Sequence, residues 1–342
     1  MKYVYVLTSD YSDFYLEQTL LSITSLRYFM PDAFVTLIVD NITEKNLIGK
    51  RAEIHKVINE FKSITIEEHF NNKVRSRFLK TTIRQNIKGD FLYIDGDTII
   101  SEDLSSVEKF EFDIATVLDE HICLSEYRIL KPLRFREIEA MFKKCNFESN
   151  FDFNVYFNSG VFFCRDCKTG HDFFNEWHRL WLHCFKCGIS TDQQSLNQAN
   201  FNINHVIKEL DGIWNCQLMH AGAIKYFHGA KIIHYFATHI HEKFFLLANN
   251  EYFKTIKERG IVNQKILDML KTPKTQFSLN TRIMLMDTKL YDYYDSAIFG
   301  ASRRIYNTKF GIVLEFILRR IKIFIFTPIR KKLFLRKHNV FI

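Results

Sequence analysis

Phe91-Leu92-Tyr93-Ile94-Asp95-Gly96-Asp97-Thr98-Ile99-Ile100 carries two opposed demands within ten residues. Four consecutive apolar side chains after the Gly89-Asp90 turn predict a strand buried on both faces, and therefore central in a sheet. Two carboxylates one residue apart then end it. Their repulsion is relieved by a hard divalent cation, for which oxygen ligands such as Asp95 and Asp97 are suited, Mn²⁺ or Mg²⁺ being the ordinary choices. Gly96 leaves the backbone open to close approach by a ligand. An isolated Asp-Gly-Asp also makes an ordinary turn, so its surroundings decide.

Upstream, Tyr3 to Leu7 is a short apolar run. Phe14 to Phe29 carries Leu16, Leu20, Ile23 and Leu26 at helical spacing and is stopped by Pro31, and Phe34 to Asp40 is a second strand-like run. Strand, helix, strand predicts a βαβ unit in a parallel sheet, where ligands gather at the carboxyl ends of strands. Arg75 to Ile87 leads into the central strand, with Arg77, Lys80 and Arg84 on one helical face. Further strands are expected at Ile114 to Leu118, Gly160 to Cys164 and Lys231 to Tyr235. Beyond Phe245 the pattern turns to short, moderately polar helices. A boundary near Leu246 divides a catalytic domain, 1–245, from a C-terminal helical region, 246–342.

The chain has 342 residues, 47% hydrophobic and 25% charged, with only 12 Gly and 4 Pro, which excludes collagen-like and low-complexity classes. Its net charge of +8 is a property of the tail: residues 301–342 hold eleven Lys or Arg against Glu315, so the other 300 residues are close to neutral. That location, and the lack of interleaved basic and aromatic residues in a recognised motif, argue against nucleic acid as a partner. No signal-peptide pattern opens the chain and no uncharged apolar run has the length of a spanning helix, which predicts a cytoplasmic protein. The seven cysteines then read as free thiols. Cys164, Cys167, Cys184 and Cys187 have the spacing of a zinc site, but the helix expected from His171 to Phe185 parts the two pairs by roughly 20 Å, too far for one metal.

The Asp95-Gly96-Asp97 segment resembles the DxD motif of glycosyltransferase family 8, the retaining galactosyl- and glucosyltransferases that include bacterial lipopolysaccharide enzymes. Four other segments resemble that family in the same order: the N-terminal strand with Thr8-Ser9-Asp10, the strand at Phe157-Asn158-Ser159-Gly160, the element Asp192-Gln193-Gln194-Ser195-Leu196-Asn197, and Ile232-Ile233-His234-Tyr235. The resemblance covers roughly Met1 to Phe245. It implies an α/β, Rossmann-like GT-A fold and a UDP-sugar donor. It implies His234 as third metal ligand beside Asp95 and Asp97, and Asp192 and Gln193 beside the sugar, Gln193 in a positioning role because an amide is a poor nucleophile. Thr8, Asp10, Tyr11, Arg77, Lys80, Gly96 and Asn158 become donor contacts, with Asp119 near the sugar. The chain departs from the family after Tyr235, where Ala237 replaces a glycine and a Lys-Pro-Trp segment is missing; Lys243 stands in for the phosphate-binding lysine.

The implied reaction moves a hexose from a UDP-sugar to a saccharide or glycolipid acceptor in surface polysaccharide or lipopolysaccharide synthesis. A sugar-nucleotide hydrolase or nucleotidyltransferase would be expected to show a Gly-rich phosphate loop near the N-terminus, which is missing, and a silent binding relative does not need all three metal ligands. The basic, aliphatic tail, with Ile312, Phe316, Ile317, Ile321, Phe324 and Ile325 able to share a face, reads as an anchor on an anionic membrane surface, placing the enzyme peripherally on the inner face of the cell membrane.

Overall fold

A computed structural model describes residues 1–67, 69–147, 154–218, 220, 222–236, 244–278, 297–306, 308–314 and 316–317. Ten strands are formed among these residues: β1 (Lys2–Leu7), β2 (Phe34–Asp40), β3 (Glu60–Ile64), β4 (Phe91–Ile94), β5 (Thr98–Ile100), β6 (Ile114–Leu118), β7 (Phe157–Cys164), β8 (Ile207–Glu209), β9 (Cys216–Gln217) and β10 (Ile232–His234). The helices are α1 (Tyr15–Phe29), α2 (Asn41–Lys45), α3 (Asn72–Thr81), α4 (Ile83–Asn86), α5 (Leu124–Leu130), α6 (Pro132–Lys144), α7 (Lys168–Lys186), α8 (Gln193–Asn202), α9 (Ala223–Phe227), α10 (Asn250–Arg259) and α11 (Gln264–Leu270).

Seven strands form one sheet in the order β3-β2-β1-β4-β7-β6-β8. All four residues of β4 are buried, as their unbroken apolar run requires. β1 pairs in parallel with both β2 and β4, so the chain winds outward in opposite directions from that pair and opens a crevice at their carboxyl ends. The sheet is mixed rather than parallel: β7 runs antiparallel to β4 and β6. Reversal places the first residues of β7 beside the last of β4, where the Asp95 amide donates to the Gly160 carbonyl at 2.8 Å.

The predicted strand at 231–235 belongs to a second sheet, ordered β5-β10-β9. After Asp97 the chain leaves the large sheet and becomes β5, which pairs antiparallel with β10, His234 opposite Thr98. Asp97 and His234 thus meet across an antiparallel pair rather than along one sheet rim. Among the described residues no helix is long and apolar enough to cross a membrane.

Two compact units are present, one of 1–128 and 133–285 and one of 129–132 and 286–342. The first extends past Leu246: Phe253 and Ile256 of α10 and Ile266 and Leu270 of α11 are buried in the same apolar cluster as β1 and α1. These helices are polar because only one side of each faces that cluster, and each is capped by an asparagine, Asn249 or Asn263. The second unit contains a helix Ala297–Tyr306 and exposed Phe310, Ile312, Phe316 and Ile317. Residues 318–342, which hold most of the basic tail, lie outside the described residues.

α7 lays Phe173, Phe174 and Trp177 against Phe162 of β7. Cys167 precedes its first turn and Cys187 follows its last, so this helix holds the two cysteine pairs at opposite ends. The Cys184 thiol instead faces Cys145, sulfur to sulfur 3.3 Å. Core tightness has a direct test at Ile38, fully buried in β2 between β1 and β3. Ile38→Val removes one methylene and should cost about 1 kcal/mol, lowering the thermal midpoint by about 2–4 °C with the fold retained.

Candidate active site

A cavity of about 450 Å³ opens over the carboxyl ends of β1 and β4, within the size range of small-molecule sites. Its walls come from Leu7 and Thr8 after β1, Tyr15, Gln18 and Thr19 of α1, one face of α3, the Asp95-Gly96-Asp97 turn, Asn158 to Gly160 of β7, Thr191 to Gln193 before α8, and His234 and Phe236.

On one side Asp95, Asp97 and His234 offer ligand atoms that all lie within 4.8 Å of one another, the only such group of three among the described residues. His234 Nε2 lies 3.2 Å from Asp97 Oδ1. Its other nitrogen, Nδ1, lies 2.9 Å from the Asn215 side-chain oxygen, which holds the ring with Nε2 turned toward the carboxylates. Asn215 in turn donates to Asn158 at 2.9 Å, and Asn158 donates to Asp119 at 2.9 Å. Two carboxylates and one oriented imidazole are a hard, mixed oxygen and nitrogen donor set that fits Mn²⁺ or Mg²⁺. The Phe236 ring stacks on His234 at 3.9 Å, although Phe236 sits at φ 47°, a left-handed backbone that side-chain-bearing residues seldom adopt.

Opposite lies Asp192, buried and capping no amide of α8 with its side chain. Arg77 Nε stands 3.0 Å from Oδ1 and Lys80 Nζ 3.7 Å from Oδ2, and the Ser159 hydroxyl donates to Oδ2 at 2.9 Å. Burial alone would push the Asp192 carboxyl up, but Lys80, Arg77 and the Ser159 hydrogen bond outweigh it and hold it below its ordinary value. Trp177 Nε1 fixes the Asp192 carbonyl at 3.1 Å, tying this wall to the α7 core. Gln193 is the contrasting neighbour: its side-chain Nε2 is buried at the cavity wall with no acceptor among the described residues.

The cavity therefore gathers Thr8, Arg77, Lys80, Asp95, Gly96, Asp97, Asn158, Asp192, Gln193 and His234. Asp10 and Tyr11 are not in its wall. Asp10 Oδ1 accepts from the Ser12 amide and hydroxyl, at 2.7 and 2.6 Å, its Oδ2 from the cavity-lining Asn72 at 3.4 Å, and Tyr11 is exposed over the Arg51 guanidinium. Asn158 lines the cavity with both amide ends committed, and Asp119 is held below it by Asn158 and Tyr127, so both build the floor under His234. Arg84 turns away, bonded to the Gly89 carbonyl at 3.0 Å and paired with Asp166. Lys243 lies outside the described residues. Gly96 is required by packing more than by ligand approach: a Cβ there would run into the Thr19 hydroxyl of α1.

Ser159, Asn215, Phe236, Asn72, Lys73 and Gln18 were not foreseen from the residues. Lys73 is separated by four and seven residues from Arg77 and Lys80, a spacing that marks one helix face and gave a usable signal. Asn215 follows Trp214 in a segment with no periodicity, so nothing in the chain announces its bond to His234.

Gly160 has a further steric role, since a Cβ there would stand 2.6 Å from His234 Cε1. Gly160→Ala should displace the imidazole and weaken Mn²⁺ binding by about 10- to 100-fold, the loss typical of disturbing a ligand's supporting shell, measured by metal titration of the folded variant.

No protein-family model and no curated protein sequence matches the chain. Solved structures do. One is the galactosyltransferase LgtC in complex with donor and acceptor sugar analogues, 14% identical over 78% of this chain and 99% of that one, with a TM-score of 0.51. Another is the bifunctional glycosyltransferase WbbM in its apo form, 13% identical over 80% of this chain and 51% of that one, also with a TM-score of 0.51. At these identities the likeness is one of fold, and the chain has the GT-A glycosyltransferase fold.

Proposed function

We propose that this protein is a retaining glycosyltransferase that moves galactose or glucose from a UDP-sugar to a saccharide or lipid-linked acceptor. The observation that carries the proposal is the convergence of Asp95, Asp97 and His234 at the mouth of a cavity whose opposite wall presents Asp192 and Gln193. Asp95, Asp97 and His234 would hold the divalent ion, which when bound would neutralise charge on the diphosphate leaving group as a Lewis acid.

The remaining tasks fall to the chain's own groups. Lys80 and Arg77 together keep Asp192 ionised, and Arg77 orients it toward the sugar hydroxyls. The unsatisfied Gln193 amide donates to the sugar, which gives that buried nitrogen the partner it lacks among the described residues. Its neutral amide positions the hexose and does not attack it. Thr8, Asn72 and Gln18 form the end of the cavity that receives the nucleoside. The basic residues of 301–342 and the exposed apolar residues of 310–317 support a peripheral site of action on an anionic membrane, near lipid-linked acceptors of the lipopolysaccharide type.

A thermal-shift screen of UDP-sugars with Mn²⁺ tests the reading, because a ligand bound only to the folded state raises stability by mass action, about 2.7 kcal/mol at a hundred times its dissociation constant. UDP-galactose or UDP-glucose should raise the midpoint by several degrees with Mn²⁺ and by far less with EDTA. Indifference to every UDP-sugar, with or without metal, would refute it.

A further inference from the structure

Lys80 occupies a position that donor binding by itself does not explain. Its side chain is 1% exposed, and the ammonium lies 3.0 Å from Asp95 Oδ1, 3.7 Å from Asp192 Oδ2, 3.5 Å from the Ser159 hydroxyl and 4.8 Å over the Tyr93 ring. It therefore spans the two halves of the site, the metal-side carboxylate and the sugar-side carboxylate. A buried ammonium is costly to desolvate, and here the two carboxylates are the charges that offset the cost, with the Ser159 hydroxyl and the Tyr93 ring beside them. A cation bound by Asp95, Asp97 and His234 shares the Asp95 carboxylate with Lys80, so two positive charges stand within a few ångströms in a partly desolvated cavity.

Resting on the reading of Asp95, Asp97 and His234 as a metal site, we propose that Lys80 is a positioning residue that couples metal binding to donor binding. In the free protein it holds Asp95 and Asp192 in register and lowers the affinity for the divalent ion. The nucleoside diphosphate brings negative charge that offsets both cations, so metal and donor each strengthen the other's binding, and by linkage to the same degree. Release of the diphosphate product loosens the metal again. Arg77 is placed differently: its close partner is Asp192 at 3.0 Å, and the charges of Asp95 and Asp97 act on it more weakly than that of Asp192.

The test is Mn²⁺ titration of the full chain, free Mn²⁺ being followed by its electron paramagnetic resonance signal, with and without UDP. Wild type should bind Mn²⁺ weakly alone and markedly more tightly with UDP. Lys80→Met and Lys80→Gln should bind Mn²⁺ at least about tenfold more tightly without UDP, show a smaller UDP enhancement, and transfer sugar at least about tenfold more slowly. A gain in metal affinity is not something that simple damage to the fold produces. Lys80→Gln keeps a hydrogen-bonding group against Asp95 and Asp192; should Lys80→Met be too unstable to titrate, a Mn²⁺-induced rise in the melting midpoint of Lys80→Gln larger than that of wild type carries the same prediction. Wild type that binds Mn²⁺ while the variants bind it equally or more weakly would overturn the Lys80 proposal alone. Wild type that binds no Mn²⁺ even with UDP would overturn the metal reading and this proposal together.

Discussion

Asp97→Ala should reduce sugar transfer by at least about 10³-fold, equivalent to about 4 kcal/mol of transition-state stabilisation. In the proposed site Asp97 would be one of three metal ligands, and its carboxylate stands 3.2 Å from the imidazole that would provide another. Removing it leaves a two-ligand site and returns the charge of the departing diphosphate to water and to Arg77 and Lys80, each already paired with a carboxylate. The fold should survive, because the joint between β5 and β10 uses the backbone of Asp97: the Tyr235 amide donates to its carbonyl at 3.2 Å, a bond alanine retains. The variant should therefore melt within about 2 °C of wild type without metal, show no Mn²⁺-induced shift, and turn over at background. Full activity in Asp97→Ala would place the metal elsewhere or remove it from the reaction.

Asp192→Ala is the second large effect, and it should separate from the first in what it leaves intact. Asp192 lies on the far wall, so Asp95, Asp97 and His234 remain and Mn²⁺ affinity should stay within a few-fold of wild type. Turnover at saturating donor should fall at least about 10²-fold, as for loss of a group that orients the reacting sugar. Stability should fall as well, by about 3 kcal/mol, since Lys80 is left buried with one partner fewer and the Ser159 hydroxyl loses its acceptor. Asp192→Asn restores size and hydrogen bonding without the charge, so it should recover part of the stability and little of the turnover. If Asp192→Ala instead abolished Mn²⁺ binding, the division of the cavity into a metal side and a sugar side would be wrong.

Much of the site was legible because chemistry that resists burial leaves a mark in an apolar sequence. Asp95 and Asp97 interrupt runs of buried strand residues, and His234 ends another such run, so each is conspicuous. Asp192 and Gln193 were found through family resemblance, and Arg77 and Lys80 through helical spacing. The same spacing misled at Arg84: α3 ends at Thr81 and α4 begins at Ile83, and the break rotates Arg84 away from the cavity toward Gly89 and Asp166. What the sequence does not announce is support. Ser159 and Asn215 act through single side-chain hydrogen bonds between residues far apart in the chain, 33 positions for Ser159 and Asp192 and 19 for Asn215 and His234. Periodicity cannot reveal such pairs, because neither partner owes its position to its own element alone.

Strand pairing was the other hidden variable. The apolar run ending at His234 was read correctly as a strand, but nothing in it distinguishes a place in the seven-stranded sheet from a place in the three-stranded one. The polar linker Asp95-Gly96-Asp97 decides, since it is where the chain passes from β4 in the first sheet to β5 in the second. The turn proposed to bind metal and the link between the two sheets are thus the same three residues. Likewise, the boundary near Leu246 followed a change in composition, whereas α10 and α11 each place two large apolar residues in the core of the first unit, enough to extend it to residue 285.

The most direct measurement is UDP release from UDP-galactose and UDP-glucose by the wild-type protein, with water taking the hexose in the absence of another acceptor, as Mn²⁺ is titrated in and then removed with EDTA. The account predicts release that rises with Mn²⁺ to saturation, stops when the metal is chelated and returns when it is restored. Release that proceeds unchanged in EDTA, or no release from either donor at any Mn²⁺ concentration, would contradict it.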